Sequence, residues 1–199
     1  LDAGELPHNE PSTIIDTTLS APITLRGKLS NIDSSSVGGN KNIGITTRLI
    51  SSSEQETKEI AGRLLLKNWN EVGGNGIIFA LDGSLGTGKT IFTKGIAEFL
   101  KITETVKSPT YSYIEEYDFK RHQTSGKFYH LDMWKVEDKD MYERLEVEKL
   151  FGKNNIIVIE WFDQIKNFIN PELDNVKVIR VLIEQSKDER ILEISDNAK

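Results

Sequence analysis

Eight residues, Gly83-Ser84-Leu85-Gly86-Thr87-Gly88-Lys89-Thr90, follow the spacing G-x-x-x-x-G-K-T. A loop of this kind wraps a phosphate only when a buried strand feeds it and a helix leaves it. Both neighbours are present. Ile77-Ile78-Phe79-Ala80-Leu81 is a short, partly β-branched apolar run suited to a buried strand. Ile91 to Leu100 places Ile91, Phe92, Ile96, Ala97, Phe99 and Leu100 at helical spacing. Gly83, Gly86 and Gly88 allow the backbone to turn its N–H groups inward, and the helix starting near Lys89 adds its positive end. Lys89 reaches β- and γ-phosphate oxygens, and the Thr90 hydroxyl is a ligand for Mg²⁺.

Around this centre the sequence predicts an α/β chain whose mixed sheet is flanked by helices. Ile45 to Ile50 suits a strand. Ser53-Glu54-Gln55-Glu56 is a capping box opening a helix with Ile60, Leu64 and Leu65 on its apolar face, ending between Asn70 and Gly74. Ser108-Pro109 marks a turn, and an alternating strand follows from Tyr111 to Asp118. A polar hairpin loop spans Asp118 to Ser125, and Gly126 opens a strand to Asp132. Asp138 to Phe151 reads as one amphipathic surface helix with Met141, Leu145, Leu150 and Phe151 inward. Asn155 to Ile159 is a continuous apolar strand, Pro171 breaks a polar connector, and Val176–Ile183 with Ile191–Ile194 form a final hairpin.

In an open α/β sheet, ligands sit at the carboxyl ends of the strands. Three strands end in acids: Asp82, Asp132 and Glu160. Glu160 and Asp132 are the candidates for the carboxylate that Mg²⁺ needs beside the loop hydroxyl. Asp82 is read as serving the phosphate-loop turn. His130 reads as a strand histidine with a satisfied ring, and Trp161 as an apolar surface beside the site. No histidine cluster suggests zinc.

Composition narrows the partners. Asp+Glu 31 against Lys+Arg 25 leaves a net charge of −6, which argues against a free-standing nucleic-acid binder. The chain has no cysteine, which fits a cytoplasmic location. No apolar run approaches membrane length. Residues 33 to 44 are rich in Ser, Gly and Asn and read as a flexible linker. The chain starts at Leu1 and is expected to be a piece of something longer.

Two resemblances rest on further motifs. G-x-L-G-x-G-K-T, V-K-S-P-T-Y (Val106 to Tyr111), H-x-D (His130 to Asp132) and E-W (Glu160-Trp161) resemble, in order and spacing over 45–194, the TsaE family of ATPases in bacterial threonylcarbamoyladenosine tRNA modification. The resemblance implies ATP and Mg²⁺ as cofactors and a TsaD–TsaB-like complex as partner. It implies that Leu85, Gly86, Thr87, Gly88, Lys89 and Thr90 wrap the phosphates, and that Thr90 and Glu160 hold Mg²⁺. Lys89, Asp132 and Glu160 take the catalytic roles. Thr110 lies in a nucleotide-responsive loop, while Glu54, Trp161 and Arg190 border the nucleotide. The family's H-x-D-L-Y-R appears here with Met133, Trp134 and Lys135. Upstream, D-A-G, P-S-T-I-I-D and L-R-G within 1–32 resemble the C-terminal end of a TsaC/YrdC-like synthase, with Ser12, Thr13 and Arg26 at adenylate-binding positions. Most of that domain is missing from the sequence, so no synthase activity is expected. Together the two suggest a TsaC–TsaE fusion, with residues 45–199 as the ATPase domain.

Three roles fit these residues. One is a slow, partner-stimulated ATPase, slow because none of the seven arginines is placed by sequence as a finger. The second is an interaction module controlled by nucleotide binding. A small-molecule kinase is the third, and no Arg-rich lid segment supports it.

Overall fold

The computed structural model describes residues 14–16, 23–26, 46–169 and 176–196. The chain divides into two units, Leu1–Asn42 and Ile43–Lys199. In the first, β1 (Ile14–Asp16) and β2 (Ile23–Arg26) pair antiparallel, with Ile14 opposite Arg26 and Asp16 opposite Ile23. Ser12, Thr13, the side chain of Arg26, the 33–44 linker and Pro171 lie outside the described residues.

The second unit runs β3 (Thr46–Ser51), α1 (Glu54–Lys67), α2 (Trp69–Val72), β4 (Ile77–Asp82), α3 (Lys89–Leu100), β5 (Ile114–Arg121) and β6 (Thr124–Asp132). It continues with α4 (Lys139–Arg144), β7 (Asn155–Glu160), α5 (Phe162–Ile165), β8 (Lys177–Ser186) and β9 (Glu189–Asp196). Seven strands form one mixed sheet in the order β3-β9-β8-β4-β7-β6-β5. The four central strands, β8, β4, β7 and β6, are parallel, and antiparallel strands complete each edge. A parallel strand covered on both faces is apolar throughout. Ile77 to Leu81 and Ile156 to Ile159 are accordingly buried without a break.

Helices flank the sheet on both faces. Phe79 meets Phe92 of α3, ring centroids 6.0 Å apart, and α1 packs on α3. On the opposite face Ile78, Ala80, Leu131, Ile157 and Ile159 bury against Tyr142, Val147, Phe162 and Ile165. Ser53 opens α1 as expected, its hydroxyl accepting from the Glu56 amide at 3.0 Å. Glu56 returns the bond one residue early, to the Ser52 amide at 2.8 Å.

Three expectations are corrected. The single helix over Asp138–Phe151 is broken: α4 ends at Arg144, Glu146 is left-handed at φ 50, and Val147–Leu150 form a 3-10 turn. Met141, Leu145, Leu150 and Phe151 pack against the core as expected but only half-buried, and the fully buried residues are Tyr142 and Val147. Five positions apart, they fall on different faces of one α-helix, so the chain breaks to bury both. The loop over Asp118–Ser125 shrinks to His122 and Gln123, because β5 is an edge strand whose polar residues face solvent. Its start moves to Ile114, after a turn in which Tyr113 is left-handed at φ 64. The short helix α5 carries no periodicity of its own.

Candidate functional site

Sheet register brings the acids together. Asp132 and Glu160 are paired residues on β6 and β7, and Leu81 on β4 pairs with Glu160 from the other side. All three strands end on the edge where the loop after β4 turns into α3. Asp132 and Glu160 are only 4% and 3% exposed.

Two glycines are fixed by the loop geometry. At Gly83, φ is 139° and a Cβ would lie 2.2 Å from the Ile183 carbonyl oxygen on β8. At Gly88, which caps α3 with φ 107°, a Cβ would lie 2.8 Å from Arg190 Nε. Space above Gly86 is open. Leu85 projects from the loop tip, 88% exposed. The Thr87 hydroxyl donates to the Ser84 carbonyl at 3.0 Å.

Lys89 folds back over the loop. Its ammonium donates to the carbonyls of Gly83 (2.7 Å) and Ser84 (2.9 Å) and lies 3.9 Å from the Trp161 ring centroid. Burial holds its pKa below the ordinary range, partly offset by the charges of Glu160, Asp132 and Asp82. Thr90 donates its hydroxyl to Glu160 Oε2 at 3.2 Å. Asp132 Oδ2 accepts from Ser108 at 2.7 Å and from Thr110 at 3.4 Å, tying the Ser-Pro-Thr turn to the end of β6.

Trp161 is left-handed, with φ 61, which turns the chain sharply into α5. Asp82 Oδ1 accepts from the Asp163 amide at 2.8 Å. Asp82 therefore serves the turn after β7 rather than the phosphate loop. Burial raises its pKa, an effect that the Asp163 amide bond opposes.

The structure thus gathers Lys89, Thr90, Glu160, Trp161 and Arg190 around the loop, with Asp132 and Thr110 adjoining through the neighbouring strand. Glu54 is exposed on the first turn of α1, three residues past Ser51, whose partner on β9 is Arg190. Arg190 is the arginine that sequence spacing did not place. Its position depends on the β8–β9 hairpin folding back across the sheet. Ser108 and Thr93 were also missed as partners of the acids. The signal for Thr93 was its i+3 spacing from Thr90 on α3.

The donor set fits a magnesium nucleotide. Mg²⁺ is held by one or two carboxylates with phosphate oxygens and water, not by a protein cage. Glu160 supplies a carboxylate and Thr90 a hydroxyl beside it. Among the described residues no cluster of three His, Asp or Glu forms a metal site by itself. Arg190 Nε is buried with no hydrogen-bond partner among the described residues, a cation against the loop that an anion would satisfy.

Comparison with known proteins adds an independent line. The family model for "Threonylcarbamoyl adenosine biosynthesis protein TsaE" matches residues 51–192. A tRNA threonylcarbamoyladenosine biosynthesis protein TsaE from Aquifex aeolicus is 32% identical over 147 residues, covering 72% of this chain and 93% of that protein. The Bacillus subtilis protein of the same description is 35% identical over 115 residues, 58% of this chain. The match spans 66% of that Bacillus protein, just under two thirds. The crystal structure of Bacillus subtilis YdiB superposes with a TM-score of 0.54 at 24% identity, covering 79% of this chain and 90% of that one, and so shares the fold.

Proposed function

The chain belongs to the TsaE family of threonylcarbamoyl adenosine biosynthesis proteins, and on that footing we propose that it binds and slowly hydrolyses ATP within the tRNA-modifying pathway. The observation that carries this reading is the contact of Thr90 with Glu160 at 3.2 Å, inside a strand–loop–helix built for phosphate. Thr90 and Glu160 would hold Mg²⁺. When bound, the ion neutralises charge on the β- and γ-phosphate oxygens. The amides of Leu85 to Thr90 cradle the phosphates. Lys89 leaves the carbonyls of Gly83 and Ser84 to pair with phosphate oxygens. Asp132, held by Ser108 and Thr110, orients the attacking water and links the turn at Thr110 to the state of the site. Arg190, which lies against Gly88, would border the nucleotide together with Glu54 and Trp161.

A second reading, an interaction module switched by nucleotide binding, draws on the rim. Leu85 and Tyr111 are each 88% exposed and Trp134 is 45% exposed, apolar groups that a partner would cover. A TsaD–TsaB-like complex in the cytoplasm is the partner proposed for either reading. Residues 1–32 are proposed as the end of a TsaC/YrdC-like domain, joined by 33–44 to the ATPase domain. Intact-mass measurement of the native protein should then find a species larger than this chain.

The direct test is ATP hydrolysis by the chain with its partner complex. Lys89→Ala should abolish turnover, a loss of at least about a hundredfold. Glu160→Ala should remove the Mg²⁺ dependence of nucleotide binding. Undiminished hydrolysis by Lys89→Ala would overturn the ATPase reading. Full multi-turnover modification with a non-hydrolysable analogue would favour the switch instead.

A further inference from the structure

A carboxylate buried as deeply as Glu160 needs donors on both oxygens. Oε2 receives Thr90 at 3.2 Å. Oε1 faces His130 Nε2 at 2.7 Å and the Thr93 hydroxyl at 3.4 Å. Thr93 has one proton and a closer acceptor, the Lys89 carbonyl at 3.1 Å. His130 is therefore the principal donor to Oε1. A carboxylate only accepts, so the ring proton sits on Nε2.

The rest of the ring has no polar task. His130 is fully buried, and its Nδ1 has no hydrogen-bond partner among the described residues. It stands on β6 opposite Val158 of β7, two residues before Glu160 and on the same face of the sheet. A histidine serving only to fill the core would be better replaced by an apolar residue, since its nitrogens cost desolvation. Among the described residues its single polar contact is to the acid that faces Thr90.

We infer that His130 is a positioning residue: it holds Glu160 Oε1 so that Oε2 is presented beside Thr90 for Mg²⁺. The inference deepens the proposed site and rests on that reading. Loss of the bond would leave Oε1 underdonated and let the carboxylate turn toward Thr93, away from the metal position. Partners that orient a metal ligand change metal affinity by about 10- to 100-fold.

The test is calorimetric titration of the full chain with the β,γ-imido analogue of ATP, once with Mg²⁺ and once with EDTA. The readout is the ratio of the two affinities. In His130→Leu the ratio should fall about tenfold while the EDTA affinity stays unchanged. His130→Gln, whose amide nitrogen can reach Glu160, should restore it. Thr93→Val should lower the ratio less. If the leucine variant does not fold, His130→Asn, whose amide stops short of Glu160, should show the same fall. An unchanged ratio in folded His130→Leu or His130→Asn would overturn the positioning role, as would a parallel loss of both affinities. A wild-type chain that Mg²⁺ does not tighten would overturn the site reading and the inference together.

Discussion

Lys89 shows how a single side chain can link binding to pH. Burial holds its pKa below the ordinary 10.5 in the ligand-free chain. A polyphosphate beside the ammonium would raise it again, so the bound form holds the proton more tightly. The linkage has one sign: affinity is full below the free-chain pKa and declines as pH rises through it toward the bound-state value. Titrations of ATP should therefore show affinity declining toward alkaline pH, with the decline beginning below 10.5. Affinity that rises with alkaline pH would contradict this placement of Lys89. Asp82 is a second case. Asp82→Ala removes the acceptor for the Asp163 amide. The turn at Trp161 should loosen, lowering stability by about 1 kcal/mol in urea unfolding and shifting Trp emission.

The positions of the candidate residues were legible in unequal measure. Lys89 and Thr90 followed from local spacing, and Glu160 and Asp132 from apolar strands that end in acids. The bonds of Glu160 to His130 and Thr93 were not legible. They depend on the register of β6 against β7 and on which turn of α3 crosses them, neither of which a linear pattern encodes.

Among elements, α3 depends on its crossing with α1. A Cβ on Gly95 would lie 2.4 Å from the Lys58 carbonyl oxygen. Helix propensity alone favours alanine there by about 1 kcal/mol. Packing should reverse the sign: Gly95→Ala is expected to destabilise by about 1–3 kcal/mol in urea unfolding, because backbone must move to admit the methyl. A stabilised variant would show that the crossing is looser than described. Strands β4 and β7 were legible because both faces are buried and their sequences are apolar throughout. The segment 138–151 was not, because Tyr142 and Val147 reach the core from a broken path that no single period describes. Likewise β5 reads as loop beyond Asp118, since an edge strand carries charge where a central one cannot.

At the scale of the whole molecule, the four parallel strands and their antiparallel edges bring Lys89, Thr90, Asp132, Glu160, Trp161 and Arg190 to one rim of the second unit. Residues 45–199, produced alone, should bind the ATP analogue within about twofold of the full chain, since each of these groups lies in that stretch. The α/β class was predictable from one loop and its neighbours. Strand order was not, because β8 and β9 enter beside β4 and β3 from the far end of the chain. That late insertion is also what delivers Arg190 to Gly88. The most direct measurement is a crystal structure of the full chain with Mg²⁺ and the β,γ-imido analogue. The phosphates should lie within the amides of residues 85–90, with the ion touching Thr90 and reached by Glu160 directly or through one water. An analogue bound elsewhere, or an ion held by carboxylates other than Glu160 and Asp132, would contradict the account.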